Sequence, residues 1–248
     1  MRTCLALSIV TVPDVDAGRA IYKLDDLVDD GVYKAMVHLH NQQRGTDTLP
    51  LYQYRVVSAS AVVLDYQGAV TISSFDDEDE RDLLNKLAVL LANTNEVISW
   101  QGDQFDRPVL AYRFLKQRVV CPAVFDKYST HTASHVSLNE ELSGMGESNK
   151  RISLVEVAAV LGLPNAQGVE RIDVLECYQQ GDIAALTQAC DIDALNTFII
   201  GQRIELTKGE LKNSEYNALC DTLSDYLSGS GKTHLKQYVA AWLPNNNK

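Results

Sequence analysis

Thr3-Cys4-Leu5-Ala6-Leu7-Ser8-Ile9-Val10-Thr11-Val12-Pro13-Asp14 decides the fold of this chain. Its run of apolar and β-branched residues, closed by a Pro-Asp turn, predicts a buried strand over residues 2–10. Strand-like and helical patterns alternate on its C-terminal side, so the strand belongs inside a sheet that helices cover.

Working outward, helical spacing predicts short helices over 16–24 and 31–42, the second with Val32, Met36 and Val37 on one side. Tyr54 to Tyr66 and Ala69 to Phe75 form a hairpin around Tyr66-Gln67-Gly68. The acidic run Asp76-Asp77-Glu78-Asp79-Glu80 opens a helix carrying Leu83, Leu84, Leu87, Leu90 and Leu91, and it reads as a capping and solvating device. Glu96 to Trp100 is a short strand, and a helix starts near Arg107 with Pro108 in its first turn. Residues 122–150 read as irregular, with an exposed loop over 143–150. Helices are expected over 153–161, 170–179, 181–207, 210–227 and 231–242, punctuated by Gly181 and Gly209. The expected organisation is an α/β domain over 1–209, a helical C-terminal extension over 210–243 packed on it, and a disordered tail over 244–248.

Composition narrows the class. With 46% hydrophobic and 22% charged residues the chain is an ordinary globular protein. No run of apolar residues suggests a membrane span, and the first residues lack a signal-peptide pattern. The five cysteines are scattered and set among apolar neighbours, which suits reduced thiols in a cytoplasmic protein rather than a disulfide framework or a zinc site. A formal charge of −11 repels polyanions at long range, so a tight, sequence-reading DNA binder is disfavoured.

Two further segments carry chemistry: Trp100-Gln101-Gly102-Asp103-Gln104-Phe105-Asp106-Arg107-Pro108 and Ala189-Cys190-Asp191-Ile192-Asp193-Ala194-Leu195-Asn196-Thr197. Taken in order with residues 3–14, they resemble the predicted 3′–5′ exonucleases related to the proofreading domain of family-B DNA polymerases. The resemblance implies a ribonuclease-H-like α/β fold: a mixed sheet flanked by helices. It also implies a site in which carboxylates hold two magnesium ions over a phosphodiester, because hard divalent cations need several oxygen anions. By this likeness Asp106 and Asp193 are the surviving catalytic and metal-binding acids, while Thr11, Gln101 and Phe105 contact nucleic acid. Locally, Asp106 also reads as a helix N-cap.

The departures are as informative. The family's Asp-x-Glu on the first strand falls on Ser8 and Val10, and its water-orienting tyrosine on Ala189. A His-x-Asp-Leu sequence has become His135-Val136-Ser137-Leu138, and a Gly-Lys pair after the Leu161-Gly162-Leu163-Pro164 turn has become Asn165-Ala166-Gln167-Gly168. Two carboxylates would bind one magnesium or manganese ion weakly, and no organic cofactor is implied. The reading is a catalytically degenerate exonuclease-like protein that works by binding or scaffolding. Expected partners are single-stranded nucleic-acid 3′ ends held weakly, a protein, or a second copy of the chain, with no membrane. The rival reading is a working nuclease that recruits other acids, Asp14 or Asp103.

The remaining candidates are bland. His38 and His40 do not share a face, and His131 and His135 would pair only on a helix, where a loop is expected. Tyr216, Leu219, Leu223 and Leu227 make a helical stripe for the core or a dimer face.

Overall fold

The computed structural model describes residues 3–125, 134–144, 152–164 and 173–246. Strand β1 spans Cys4–Pro13, followed by helices α1 (Val15–Tyr22) and α2 (Asp29–Arg44). The hairpin is β2 (Tyr54–Leu64) and β3 (Val70–Phe75), and its turn is closed by Asp65, whose carboxylate accepts the backbone N–H of Gln67 and Ala69. Helix α3 (Glu80–Ala92) leads to β4 (Glu96–Ser99) and then α4 (Arg107–Gln117).

The stretch read as irregular in fact contains structure: α5 (Pro122–Phe125), β5 (Ser134–Ser137) and α6 (Leu138–Ser143). Strand β5 has four residues and runs parallel to β4 at the sheet edge. It is too short to show a two-residue period. Among the described residues the helices that follow are α7 (Leu154–Val160), α8 (Val174–Gln179), α9 (Ile183–Lys208), α10 (Asn213–Gly229) and α11 (Thr233–Asn246). The last two residues lie outside the described residues, as do His131, the sequence 165–168 and most of the loop expected over 143–150.

The sheet has the order β3-β2-β1-β4-β5. Strands β2 and β1 pair antiparallel, as do β3 and β2, whereas β4 is parallel to β1. This is a ribonuclease-H-like mixed sheet with helices on both faces. Leu5 and Leu7 of β1 pack with α3 and α4, and Cys4 and Ala6 pack with α9, α10 and α11. The sheet is thus buried on both faces, which is why β1 reads as one apolar run.

Helix α9 is long and apolar enough to cross a bilayer by length and composition, so the expectation that no segment passes that test was too strict. It lies instead across the sheet, with 61% of its apolar window buried in the protein. Its approach to β4 is close: a Cβ at Gly201 would sit 2.6 Å from Cδ1 of Ile98. The stripe on α10 is core, since Tyr216, Leu223 and Leu227 are buried and Leu219 packs beside them.

Candidate functional site

Where β1 and β4 run side by side, a cleft of about 420 Å³ opens. Ser8, Ile9, Trp100, Gln101, Phe105, Asp106, Asp193 and Thr197 line it, and Ile152 to Leu154 form the opposite wall. Residues at opposite ends of the sequence, from Leu7 to Thr197, therefore meet, because adjacent parallel strands deliver their ends to one side of the sheet. Thr11, Val10 and Ala189 are not among the lining residues. Val10 packs against the Val12, Val57 and Leu186 cluster beneath α8, and Ala189 is half-buried one turn before Asp193.

Between β4 and α4 the backbone makes a single π-helical turn over Gly102–Asp106. That turn swings Phe105 and Asp106 into the cleft, and no periodicity in five residues announces it. Gly102 is required there, since a Cβ would meet Ser99 Oγ at 2.8 Å and His135 Nε2 at 2.9 Å. Asp106 stands at the N-cap position of α4 but makes no capping hydrogen bond with its side chain, which corrects the capping alternative. Its carboxyl instead takes hydrogen bonds from Ser99 and the Gln101 backbone. Ser99 Oγ in turn lies 2.9 Å from His135 Nε2. A hydroxyl has one proton, so if Ser99 donates to Asp106, the His135 Nε2–H donates to Ser99. His135 therefore sits on a strand in a polar chain through the sheet, not on a helix with His131.

Asp106 and Asp193 face one another across the cleft. Burial pushes the Asp106 carboxyl up to about 6 despite its two hydrogen bonds. Burial, with the negative charge of Asp106, pushes Asp193 up to about 6 as well. Thr197, one turn after Asp193, is fully buried, and its hydroxyl has no hydrogen-bond partner.

The rival ligands are occupied. Asp14 caps α1 through the backbone N–H of Asp16 and Ala17, and it pairs with Arg113 and with Lys116 at 2.5 Å. Burial alone would raise its pKa; Lys116 and Arg113 outweigh that and lower it. Glu80, read as part of a solvated acidic run, is buried and paired with Arg113, and only its neighbour Asp79 caps α3. Asp103 pairs with Arg107 at 3.4 Å.

Sequence reasoning set Asp191 aside, yet with Asp14 and Glu80 it is among the most heavily bonded acids of the described residues. It is fully buried and accepts from Ser60 at 2.6 Å, Ser74 at 2.5 Å and Lys232 at 2.9 Å, with His234 at 2.8 Å. Burial would raise its pKa, but bonds from His234, Ser60, Ser74 and Lys232 prevail and hold it at about 2. The 200° between positions two apart on a helix explains the separation: Asp193 faces the cleft, and Asp191 faces β2 and β3. The serines gave no signal of this, because their partners are more than one hundred positions away.

Among the described residues no group of three or more His, Cys, Asp or Glu side chains converges as a metal site. Against known proteins, a family described as predicted 3′–5′ exonuclease related to the exonuclease domain of PolB matches residues 46–242. The match leaves out the first strand, with Ser8 and Val10. No curated protein matches the chain. Among solved structures it is similar to the family B DNA polymerase from the hyperthermophilic archaeon Pyrobaculum calidifontis, with a TM-score of 0.52 and 15% identity. That alignment covers 99% of this chain and 28% of the polymerase, so the likeness is one of fold over little more than a quarter of the larger protein.

Proposed function

The chain belongs to the family of predicted 3′–5′ exonucleases related to the exonuclease domain of PolB, and from that premise we propose that it holds single-stranded 3′ ends without cutting them. The observation that carries this is the donor set of the cleft. A pair of magnesium ions about 4 Å apart needs several carboxylates bridging and flanking it. Here two carboxylates converge, Asp106 and Asp193, beside a neutral Ser8, while Val10 is committed to an apolar cluster. Asp14 and Asp103 are held by arginine and lysine. These residues do not fit a metal pair, so no hydrolytic step is derived.

What remains suits binding. Phe105 and Trp100 offer aromatic surface for a terminal base, and the Gln101 amide offers both a donor and an acceptor. A carboxyl pair whose pKa values lie near 6 takes up a proton in mild acid and then repels a phosphate less. Five reduced thiols suit action in the cytoplasm.

Restoration tests the reading. Purified protein should release no nucleotides from single-stranded DNA with magnesium or manganese, whereas the combined Ser8→Asp, Val10→Glu and Ala189→Tyr variant should do so. Metal-dependent degradation by the unaltered chain, abolished by Asp106→Ala, would refute the proposal.

A further inference from the structure

The sheet ends on β3, whose residues Val70-Thr71-Ile72-Ser73-Ser74-Phe75 are β-branched, small or aromatic and include no charge, proline or glycine. It pairs with β2 residue for residue, from Val70 opposite Leu64 to Phe75 opposite Ala59, so no bulge twists its outer edge away. Natural sheets blunt such an edge with lysine, proline or a bulge, because its unpaired N–H and C=O groups template another strand. Strand β3 uses none of these. The opposite edge strand, β5, is four residues long and passes straight into α6.

Tyr226 of α10 covers the middle of the β3 edge. The Ile72 N–H donates to its hydroxyl at 3.2 Å, and the hydroxyl donates to the Ile72 carbonyl at 3.4 Å. One phenol thus meets both the donor and the acceptor that a neighbouring strand would take, as its single proton and its lone pairs allow. An N–H that reaches Tyr226 points away from β2. By the alternation of an antiparallel ladder, Val70 and Ser74 turn their backbone groups the same way. Lys232 makes a second tie beside the edge, donating to Ser74 Oγ at 2.6 Å. Tyr226 is 36% exposed, so this contact lies at the surface rather than in the core.

We infer that the β3 edge is a self-association surface held shut by Tyr226, and that the partner it fits is β3 of a second copy of this chain, paired antiparallel about Ile72. In that register Ile72 exchanges both backbone bonds with its counterpart and Val70 faces Ser74, so each outward group finds a complement. The uncharged strand presents nothing that repels itself. Asp76 to Glu80 follow β3 directly, and antiparallel pairing sends the two acidic runs to opposite ends, whereas parallel stacking would lay them side by side. A closed pair is therefore favoured over an open stack. A foreign extended peptide could form the same backbone bonds, but a second copy alone matches this register by symmetry. The surface is separated from β1 by β2 and does not depend on the reading of the cleft.

Sedimentation equilibrium over a concentration series tests this. The unaltered chain should remain monomeric. Tyr226→Phe keeps the ring and removes only the hydroxyl; it should tighten dimer formation about tenfold or more, the gain from releasing the N–H and C=O of Ile72 on each copy. Tyr226→Ala should dimerise at least as tightly. Adding Thr71→Lys, at an exposed position of β3, should return the Phe variant to a monomer, because the two lysines meet diagonally across the pair. The Ile72 amide of the Phe variant should exchange more slowly in the dimer than in dilute solution. A Phe variant that stays monomeric, an unaltered chain that dimerises as tightly, or a dimer that Thr71→Lys leaves intact overturns the proposal. Assemblies larger than a dimer overturn the two-fold pairing.

Discussion

Asp191 and Asp193 stand two positions apart on one helix, yet one titrates near 2 and the other near 6. Both are desolvated. They differ in partners: Asp191 receives four hydrogen bonds, whereas Asp193 faces the like charge of Asp106. A carboxyl whose folded pKa exceeds its unfolded value of about 4 costs the folded state nothing below pH 4. The cost grows as pH rises towards 6 and is complete above it. Asp193→Asn should therefore raise the melting temperature at pH 8, with a gain of about 1–3 kcal/mol, and should leave it nearly unchanged at pH 4. Thermal melts at both values check this, and an equal gain at pH 4 would mean that the charge is not the cause. Binding to oligonucleotides should strengthen as pH falls through about 6, because protonation removes negative charge from the cleft. A titration that runs flat between pH 8 and 5 would count against the carboxyl pair contacting phosphate.

Helix α9 is the element on which site and scaffold meet. One face carries Asp193 and Thr197 to the cleft, and the opposite side carries Thr187 and Asp191 to Ser58 and Ser60 of β2. Through Lys232 and His234, Asp191 also latches the start of α11 to the sheet. Asp191→Ala should cost about 3 kcal/mol, the usual loss when a buried charged partner is removed. The loss should appear first as faster amide exchange in α10 and α11, and uniform acceleration across the sheet would argue against a local latch. Because the Asp191 pKa is depressed, its contribution persists at neutral pH and disappears only as pH falls from about 4 towards 2. The longer helices and the hairpin were legible because each repeats a side-chain period long enough to recognise, and β1 because it is one apolar run; the short helices α5 and α6 were not legible. Strand β5 and the π turn were not, since four or five residues carry no period and are fixed by their neighbours.

At the scale of the molecule, a sheet buried on both faces makes the fold robust to what occupies the cleft. Ser8 lies on that sheet above Cys190, whose thiol donates to its backbone carbonyl at 3.3 Å. With a net charge of −11, only a few cations can meet a phosphate chain. Affinity for oligothymidylate should thus fall less than about tenfold between about 50 and 200 mM salt, as expected for roughly two phosphate contacts on a single strand. A much steeper salt dependence would reveal a basic surface elsewhere. The sequence by itself determined the fold class and the family, since these depend on periodicity and on local motifs. Only the tertiary structure decided which acids are free. Asp14, Glu80 and Asp191 look no different from Asp106 and Asp193 in the chain, and their charge is spent on arginine, lysine, histidine and serine that folding brings from elsewhere. A carboxylate's role is set by what surrounds it, and those surroundings form only when the chain closes on itself.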